Sequence, residues 1–358
     1  MSHLPILAII VPLIGGILIA LTGLIRPAVR AIVAVGVAGL HGVLLLLLVV
    51  RVFTDGPLEY FPGGWLPPVG IHLTVDAFSA FFLLLLAVGH PAAVLFRLAT
   101  DGRSGWEDKS ATLGAWYFAA LAGITVTADL FNLFVFVELA TVTTLGLIAR
   151  KGRENSTVAG FVYLVLASLS GVLLLVSILL IYLTTGTVTS VLVAQRVATV
   201  PPHIHAIITG CMLISFGIKF GMVPLHLWQP RAYLGAGSTV SAIFSAFGMK
   251  IYLYALIRLL WLPLHAPELL PRVFDLLLVA GMVNILVGHL AALSERNLIR
   301  MLAFSSVAHV GYILLGVAAG GRAGTLGTAA LVATLFHIAM HSLAKATLLW
   351  SGRLFIAV

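Results

Sequence analysis

Three lysines of this sequence, Lys219, Lys250 and Lys345, lie well inside apolar stretches, and Glu138 lies in the middle of a fourth. A charged side chain near the centre of a bilayer costs about 2.5–3.5 kcal/mol on insertion scales. Such residues are therefore retained where they face the interior of a helix bundle, reach water or form pairs. The set predicts a pathway for protons or cations across a membrane. The alternative is that some of these side chains extend to the membrane surface or pair only for packing.

A stripe of titratable side chains follows one face of the last apolar segment. His337, His341 and Lys345 recur every four residues in HIAMHSLAKATLLWSG, so a helix places them on one side. Histidine changes charge near neutral pH, and a buried lysine can both accept and release a proton. We therefore predict that this stripe relays protons.

His309 is a further candidate for the relay, with Ser305 and Ser306 as its hydroxyl partners. The alternative is a histidine that is simply hydrogen-bonded within a packed bundle. Two histidines four residues apart, such as His337 and His341, are also a spacing that binds metal ions. No carboxylate or cysteine nearby completes a ligand set, so we expect no metal site.

The seventh apolar segment, HAIITGCMLISFGIKFGMVPLHLWQPRAYLG, contains a proline in its middle. Pro224 removes a backbone donor and is expected to interrupt the helix shortly after Lys219. Interrupted backbone at membrane depth persists only where protein or a water-filled cavity satisfies its polar groups, and broken helices often form transport sites. A proline kink alone is common in membrane helices, so the prediction depends on the adjacent lysine.

The composition excludes a water-soluble fold, because 61% of the 358 residues are hydrophobic and only 9% are charged. The net charge of +8 comes from basic residues at the ends of apolar segments, so it does not indicate nucleic-acid binding. Cys211 is the only cysteine, which excludes a disulfide or an iron–sulfur cluster held by this chain alone. No phosphate-binding glycine loop or dinucleotide fingerprint is present, so no cofactor and no redox chemistry are expected in this chain.

The elements that must position these residues are membrane-spanning helices of about 20 residues each. We predict an all-α polytopic membrane protein with about eleven spans, at residues 4–25, 31–50, 73–97, 111–127, 130–149, 157–184, 204–234 (broken), 236–261, 273–293, 301–319 and 326–350. An N-terminus outside the cell places twelve basic loop residues inside and five outside. This excess predicts a multi-pass protein of the inner (plasma) membrane with its N-terminus on the periplasmic side.

These segments together resemble the antiporter-like membrane subunits shared by Mrp-type sodium/proton antiporters, respiratory complex I and membrane-bound hydrogenases. The motifs that carry the resemblance are DLFNLFVFVEL around Glu138, FGIKFGMVPLHLWQPRAY around Lys219, SAFGMKIYLYALIRL around Lys250, RMLAFSSVAHVGY around His309, and HIAMHSLAKATLLWSG. Segments 75–79 and 129–133, with Lys250, are most similar to the D-type member of the Mrp antiporter.

The resemblance implies an inverted-repeat architecture. Residues 1–110 would form N-terminal helices, residues 111–261 a first repeat with its broken helix at 204–234, and residues 262–358 a partial second repeat. Family members have more spans than the eleven predicted here, so the second repeat is expected to be incomplete.

The resemblance also implies a role for each residue. Glu138 and Lys219 would form a coupled pair, Lys250 would be the next relay, and the His337–Lys345 stripe would continue the axis. The expected function is proton and sodium translocation within a multi-subunit antiporter in the lipid bilayer, with other membrane subunits as partners. The alternatives are a pump subunit of a quinone-reducing dehydrogenase or hydrogenase, and a partner-completed scaffold or inorganic-carbon uptake subunit.

Overall fold

The computed structural model describes residues 3–24, 26–101, 109–149, 154–261, 264, 268–321 and 325–356. Within these ranges the chain is almost entirely helical, and it divides into two compact units. The first unit contains Met1–Leu147 and Val188–Ser190, and the second contains Ile148–Thr187 and Val191–Val358.

The described part of the first unit is a helical bundle with one small β-hairpin. Its elements are α1 (Leu4–Thr22), α2 (Pro27–Asp55), β1 (Leu58–Tyr60), β2 (Leu73–Val75), α3 (Ala77–Asp101), α4 (Ser110–Val126) and α5 (Leu130–Ile148). Helix α1 packs against α2 and α4, and α2 packs against α3. The small side chains of Ala31, Ala34 and Ala115 surround Ile19, which lets these helices approach closely.

Helix α3 begins at Ala77, although the apolar window that predicts it begins at residue 73. Residues 73–75 are extended because they pair antiparallel with β1, with Leu73 opposite Tyr60. Asp76 then starts the helix: its Oδ1 accepts from the Ser79 amide at 2.9 Å, and its own amide donates to Ser79 Oγ at 2.8 Å. This reciprocal arrangement satisfies two backbone donors at the helix start.

A pair of buried histidines joins α2 and α3. His41 Nε2 donates to the Ala8 carbonyl at 3.0 Å, and His41 Nδ1 lies 2.9 Å from His90 Nδ1. In a neutral His41 the second nitrogen must accept, so His90 donates from Nδ1. The ring of His90 stacks on Phe118 with centroids 4.4 Å apart. This pair was not predicted from sequence, because the two positions are 49 residues apart.

The second unit contains the broken helix and the last spans. Its helices are α6 (Glu154–Thr185), α7 (Ser190–Arg196), α8 (Pro202–Phe220), α9 (Trp228–Ala236), α10 (Ser238–Ile243), α11 (Met249–Trp261), α12 (Leu270–Ser294), α13 (Leu298–Gly320) and α14 (Thr325–Ile356). A π-helical turn, Phe244–Gly248, joins α10 to α11. Helix α13 packs against α9, α12 and α14, while α6 packs against α8 and α9.

The predicted spans are confirmed in number to within one helix. In the described part of the chain, ten helical segments are long and apolar enough to cross a membrane, and the broken α8–α9 segment counts as one of them. The predicted span 111–127 corresponds to α4, which is apolar but has only 17 residues. The protein is therefore a multi-pass membrane protein. Five basic residues used for the orientation prediction, Arg103, Arg150, Lys151, Arg153 and Arg322, lie outside the described residues.

Replacing Gly288 by valine should lower the thermal stability of the second unit. Gly288 on α12 lies against Ala308 of α13, and a Cβ atom there would come within 2.5 Å of the Ala308 amide nitrogen. Overpacking of this kind costs typically 1–3 kcal/mol. Thermal unfolding of the purified complex in detergent measures the effect. The control is Gly210→Val on α8, where a Cβ meets nothing within 4 Å. Equal melting of the two variants would contradict the close packing.

Candidate functional site

Lys219 lies in the last turn of α8, directly before the helix break, and it is buried. Helix α8 ends at Phe220 because Gly221 adopts φ +78°, the left-handed conformation that glycine takes readily. A Cβ at Gly221 would also meet Gln229 Oε1 at 2.1 Å. The predicted interruption is therefore present, and it begins three residues before Pro224.

Asn284 of α12 holds the interrupted backbone. Its Oδ1 accepts from the Val223 amide at 2.9 Å, and its Nδ2 lies 3.4 Å from the Gly221 carbonyl and 3.2 Å from the Val307 carbonyl. Its side chain is completely buried. Asn284 was not predicted from sequence, although an amide in the middle of the apolar segment DLLLVAGMVNILVGHLAAL is a signal for it.

Lys250 lies in the first turn of α11, just after the π-helical turn. It is 1% exposed, and its Nζ donates to the Ser245 carbonyl at 2.6 Å. The Ser245 hydroxyl lies 2.8 Å from the Ser306 hydroxyl on α13. A π-helical turn displaces the regular hydrogen-bond ladder of a helix, and such turns are frequent at functional sites.

Lys345 of α14 reaches the same group of residues from the other side. Its Nζ donates to the Leu302 carbonyl at 2.8 Å, and Ser306 Oγ donates to the same carbonyl at 2.9 Å. A series of hydrogen bonds therefore connects Lys250, Ser245, Ser306, the Leu302 carbonyl and Lys345. Both lysines donate to backbone carbonyls, which only accept, so the series positions the polar groups without being a path for protons by itself. The structure brings these two predicted lysines and Ser306 together. Within the described residues, Ser305 makes no hydrogen bond to this series.

The three predicted histidines form a cluster beside the two lysines. His309 Nδ1 lies 3.1 Å from His337 Nε2, and the His309 and His341 rings are 4.2 Å apart. Both ring nitrogens of the buried His341 lack a hydrogen-bond partner among the described residues. Buried imidazole nitrogens without a partner are unfavourable, so a partner or water is needed there. The sequence left open whether His309 belongs to the relay. In the structure it lies at the centre of the histidine cluster.

Two residues that sequence analysis did not select extend the histidine cluster. The ring of Tyr312 lies 5.7 Å from that of His309, and its hydroxyl lies 3.2 Å from His289 Nε2. The His289–Tyr312 contact is exposed, so the histidine cluster lies close to the outer surface of α12 and α13. In the described part of the chain, no group of three or more His, Cys, Asp or Glu side chains has a geometry suited to a metal ion.

Glu138 lies on α5 in the first unit, whereas Lys219 belongs to the second, and their predicted pairing stays a prediction. Glu138 is half-buried, and its buried Oε1 accepts no hydrogen bond from any described residue. A buried carboxylate oxygen without a donor is unfavourable, so a partner or water is needed.

Two titratable residues lie outside the spans of the first unit. Burial raises the pKa of Asp129, although its Oδ1 accepts from the Asn132 amide at 2.8 Å and so caps α5. Burial lowers the pKa of His72, which Glu59, 3.9 Å away, opposes. Neither residue was among the transport residues predicted from sequence.

The family model described as "NADH:quinone oxidoreductase/Mrp antiporter, TM" matches residues 127–356. NADH-quinone oxidoreductase subunit N of Desulforudis audaxviator is 32% identical, over 99% of this chain and 70% of that protein. The D-type member of the Na(+)/H(+) antiporter of Alkalihalophilus pseudofirmus is 28% identical, over 97% of this chain and 69% of that protein.

The fold is also similar to a chain in the structure of the Mrp complex from a Dietzia species. The TM-score is 0.85 at 30% identity, and the match covers 98% of this chain and 64% of that chain. The matched family region includes the broken helix, the three lysines and the histidine cluster. The chain thus belongs to the family of NADH:quinone oxidoreductase and Mrp antiporter transmembrane proteins.

Proposed function

We propose that this chain is a proton- and cation-translocating membrane subunit of a multi-subunit sodium/proton antiporter. The observation that carries the proposal is the hydrogen-bonded series from Lys250 to Lys345, which is buried and contains two serine hydroxyls. A hydroxyl both donates and accepts, so the two serines can exchange a proton, and water would complete the path between each lysine and the hydroxyls, because the Ser245 and Leu302 carbonyls only accept. Burying a lysine at each end of the series costs free energy, which a function in transport explains.

The histidine cluster extends this series beyond Lys345. His341 has two buried ring nitrogens that can bind water, and His309 contacts both His337 and His341. Neutral imidazole accepts a proton on one nitrogen and donates from the other, so a row of such rings relays protons. The exposed His289–Tyr312 contact places this row close to the outer surface of α12 and α13.

Lys219 and Glu138 supply the step that couples proton movement to the second ion. A carboxylate that approaches a buried lysine favours the charged lysine, and one that withdraws favours release of the proton. Helix α8 ends one residue after Lys219, and α9 begins only at Trp228. A shift of Lys219 therefore does not require the bending of a continuous helix. Movement of the Glu138 carboxylate towards Lys219 would thus favour protonation of the lysine, and movement away would favour release of its proton to the relay.

The assembly and the orientation are part of the same proposal. The partners are the other membrane subunits of a hetero-oligomeric antiporter, the transported ions are protons and sodium, and the N-terminus lies on the periplasmic side of the plasma membrane. The second candidate is the pump subunit of a redox complex. The 32% identity to a quinone oxidoreductase subunit favours that candidate, and the same relay would serve it.

Replacing Lys219 by alanine should reduce sodium-driven proton movement about a hundredfold, because a positioned proton-transfer group contributes 10²–10⁴-fold. The measurement is the pH change in inverted membrane vesicles that contain the complete complex, started either by sodium or by an electron donor. The control is Lys109→Ala, since Lys109 is an exposed lysine outside the spans.

The two ways of starting proton movement separate the two functions. Sodium-driven movement in the wild type and in Lys109→Ala, lost in Lys219→Ala, supports the antiporter. Proton movement only with the electron donor would replace it by the redox pump. Sodium exchange at the normal rate in Lys219→Ala would contradict the proposed coupling.

A further inference from the structure

An apolar groove of about 470 Å³ lies on the outer surface of the second unit. Its walls come from α6, from the start of α9 with the turn before it, and from the start of α13. Its lining includes Phe161, Val165, Leu227, Arg231, Arg300 and Phe304.

The walls of the groove face outward. Phe161 is 67% exposed and Leu227 is 64% exposed, and Phe161 and Val165 are four residues apart on one face of α6. Exposed apolar side chains on a membrane span face either lipid tails or another protein. The groove is thus a depression in a surface that the bilayer or a partner covers.

Among the described residues, two arginines are the only charged ones that line the groove. Arg231 is exposed, and the Arg300 side chain is 43% exposed and forms an ion pair with Glu295 at 2.9 Å. An arginine presents five donors in a planar fork, so Arg300 retains donors beyond those used by one carboxylate. The groove therefore combines a positive site with an apolar channel beside it.

We propose that this groove binds an anionic phospholipid. The phosphate lies between Arg231 and Arg300, and an acyl chain lies along Phe161, Val165 and Leu227. Arginine forks match phosphate oxygens, and basic pockets between membrane helices bind acidic headgroups. The apolar wall then covers the acyl chain, which a free phosphate does not possess.

Charge favours the lipid over a protein partner. The centres of protein interfaces are depleted in charged residues, and a buried arginine without a carboxylate is costly. Glu295 forms its ion pair with Arg300, so a covering helix would have to bring an acidic group to Arg231. A lipid phosphate satisfies both arginines at once.

The test measures lipid retained by the purified complex. Vesicles containing equal amounts of dioleoyl phosphatidylglycerol and dioleoyl phosphatidylcholine are solubilised, and the lipid bound per complex is counted by mass spectrometry. We expect selective retention of phosphatidylglycerol. Arg231→Gln should weaken it about fivefold, and the Arg231→Gln/Arg300→Gln double variant about thirtyfold, because each basic group near an anionic surface contributes about a fivefold change.

Two further variants separate lipid binding from folding. The Arg231→Lys/Arg300→Lys variant keeps both charges and should retain most of the lipid. Arg51→Gln removes another exposed arginine, which pairs with Asp55 at the end of α2, and should change nothing. Equal retention of phosphatidylglycerol by the assembled wild type and the assembled Arg231→Gln/Arg300→Gln variant would overturn the proposal.

Two competition outcomes identify other occupants. If glycerol phosphate displaces phosphatidylglycerol at equal concentration, the acyl chain contributes nothing and the lipid assignment is wrong. If a cysteine at Leu227 crosslinks to a partner subunit and no phosphatidylglycerol is retained, the groove is a protein interface. Selective, arginine-dependent retention that glycerol phosphate does not reverse supports the lipid site.

Discussion

Replacing Lys250 by arginine should abolish proton movement through the complex while the protein still assembles. Arginine keeps the positive charge and the ability to donate to the Ser245 carbonyl, the acceptor of Lys250 Nζ at 2.6 Å. It is effectively never deprotonated in proteins, whereas a lysine can release its proton. A permanent charge at position 250 therefore prevents proton release, whereas the arginine can still form the structural hydrogen bond to the Ser245 carbonyl. We expect proton flux to fall about a hundredfold or more.

The alternative role of Lys250 is structural. Lys250 is fully buried at the start of α11, and its ammonium group fixes the carbonyl of the π-helical turn. If this contact alone mattered, Lys250→Arg would retain transport and Lys250→Ala would lose stability. The two variants should be compared by vesicle proton flux and by thermal unfolding of the complex. Normal flux in Lys250→Arg would exclude Lys250 from the proton pathway.

Lys345 is expected to act together with Lys250, because both lysines are buried and both donate to carbonyls of the same hydrogen-bonded series. Two ammonium groups in an apolar interior repel each other strongly, since the low local dielectric hardly screens them. A proton that arrives at one end of the series therefore favours departure of a proton from the other end. A permanent charge at position 250 removes this alternation, which explains why arginine is expected to be inactive rather than only slow.

The spans and the charged residues inside them could be predicted from sequence, because hydropathy and the cost of buried charge act locally. Pro224 correctly located the broken helix, but the break begins at Gly221, whose positive φ a proline argument does not reveal. The short strands β1 and β2 were not predicted, since three-residue strands give no periodic signal.

The connections between the predicted residues could not be obtained from sequence. Ser245 and Ser306 are 61 residues apart, and their contact depends on how α13 packs beside the π-helical turn. The helical spacing grouped His337 with His341 but gave no indication that His309 lies between them in space. Periodicity describes one helix at a time, whereas a relay is a property of several helices packed together.

Asn284 is another residue whose role depends on contacts between helices and not on its own helix. An amide in an apolar span carries no charge and so a smaller insertion cost than a lysine. Its importance follows only from its partners, the Val223 amide and the Gly221 and Val307 carbonyls. These groups belong to the interrupted backbone and to α13, so one side chain connects the break to the helix that carries Ser306 and His309.

Replacing Asn284 by leucine should therefore open the break locally and impair transport. Leucine has a similar size but leaves the Val223 amide without its acceptor, and an unsatisfied buried group costs about 1–3 kcal/mol. Amide hydrogen exchange at Val223 should accelerate about tenfold or more, because local opening requires less free energy. The amide of Ile313, in the middle of α13, should exchange as in the wild type. Sodium-driven proton movement should fall in Asn284→Leu, since the position of Lys219 depends on the geometry of the break.

Asn284→Asp provides the matched variant because it keeps an oxygen that accepts from the Val223 amide but has at most one O–H in place of the two N–H donors to the carbonyls. We expect exchange at Val223 to remain slow in this variant, which separates the acceptor from the donor role. Unchanged exchange at Val223 in Asn284→Leu would show that the break is held by its own turns, in which Met222 donates to the Gly217 carbonyl at 2.7 Å. Accelerated exchange with intact transport would show instead that the relay tolerates an open break. Only the combination of local opening and lost transport assigns Asn284 a part in positioning Lys219.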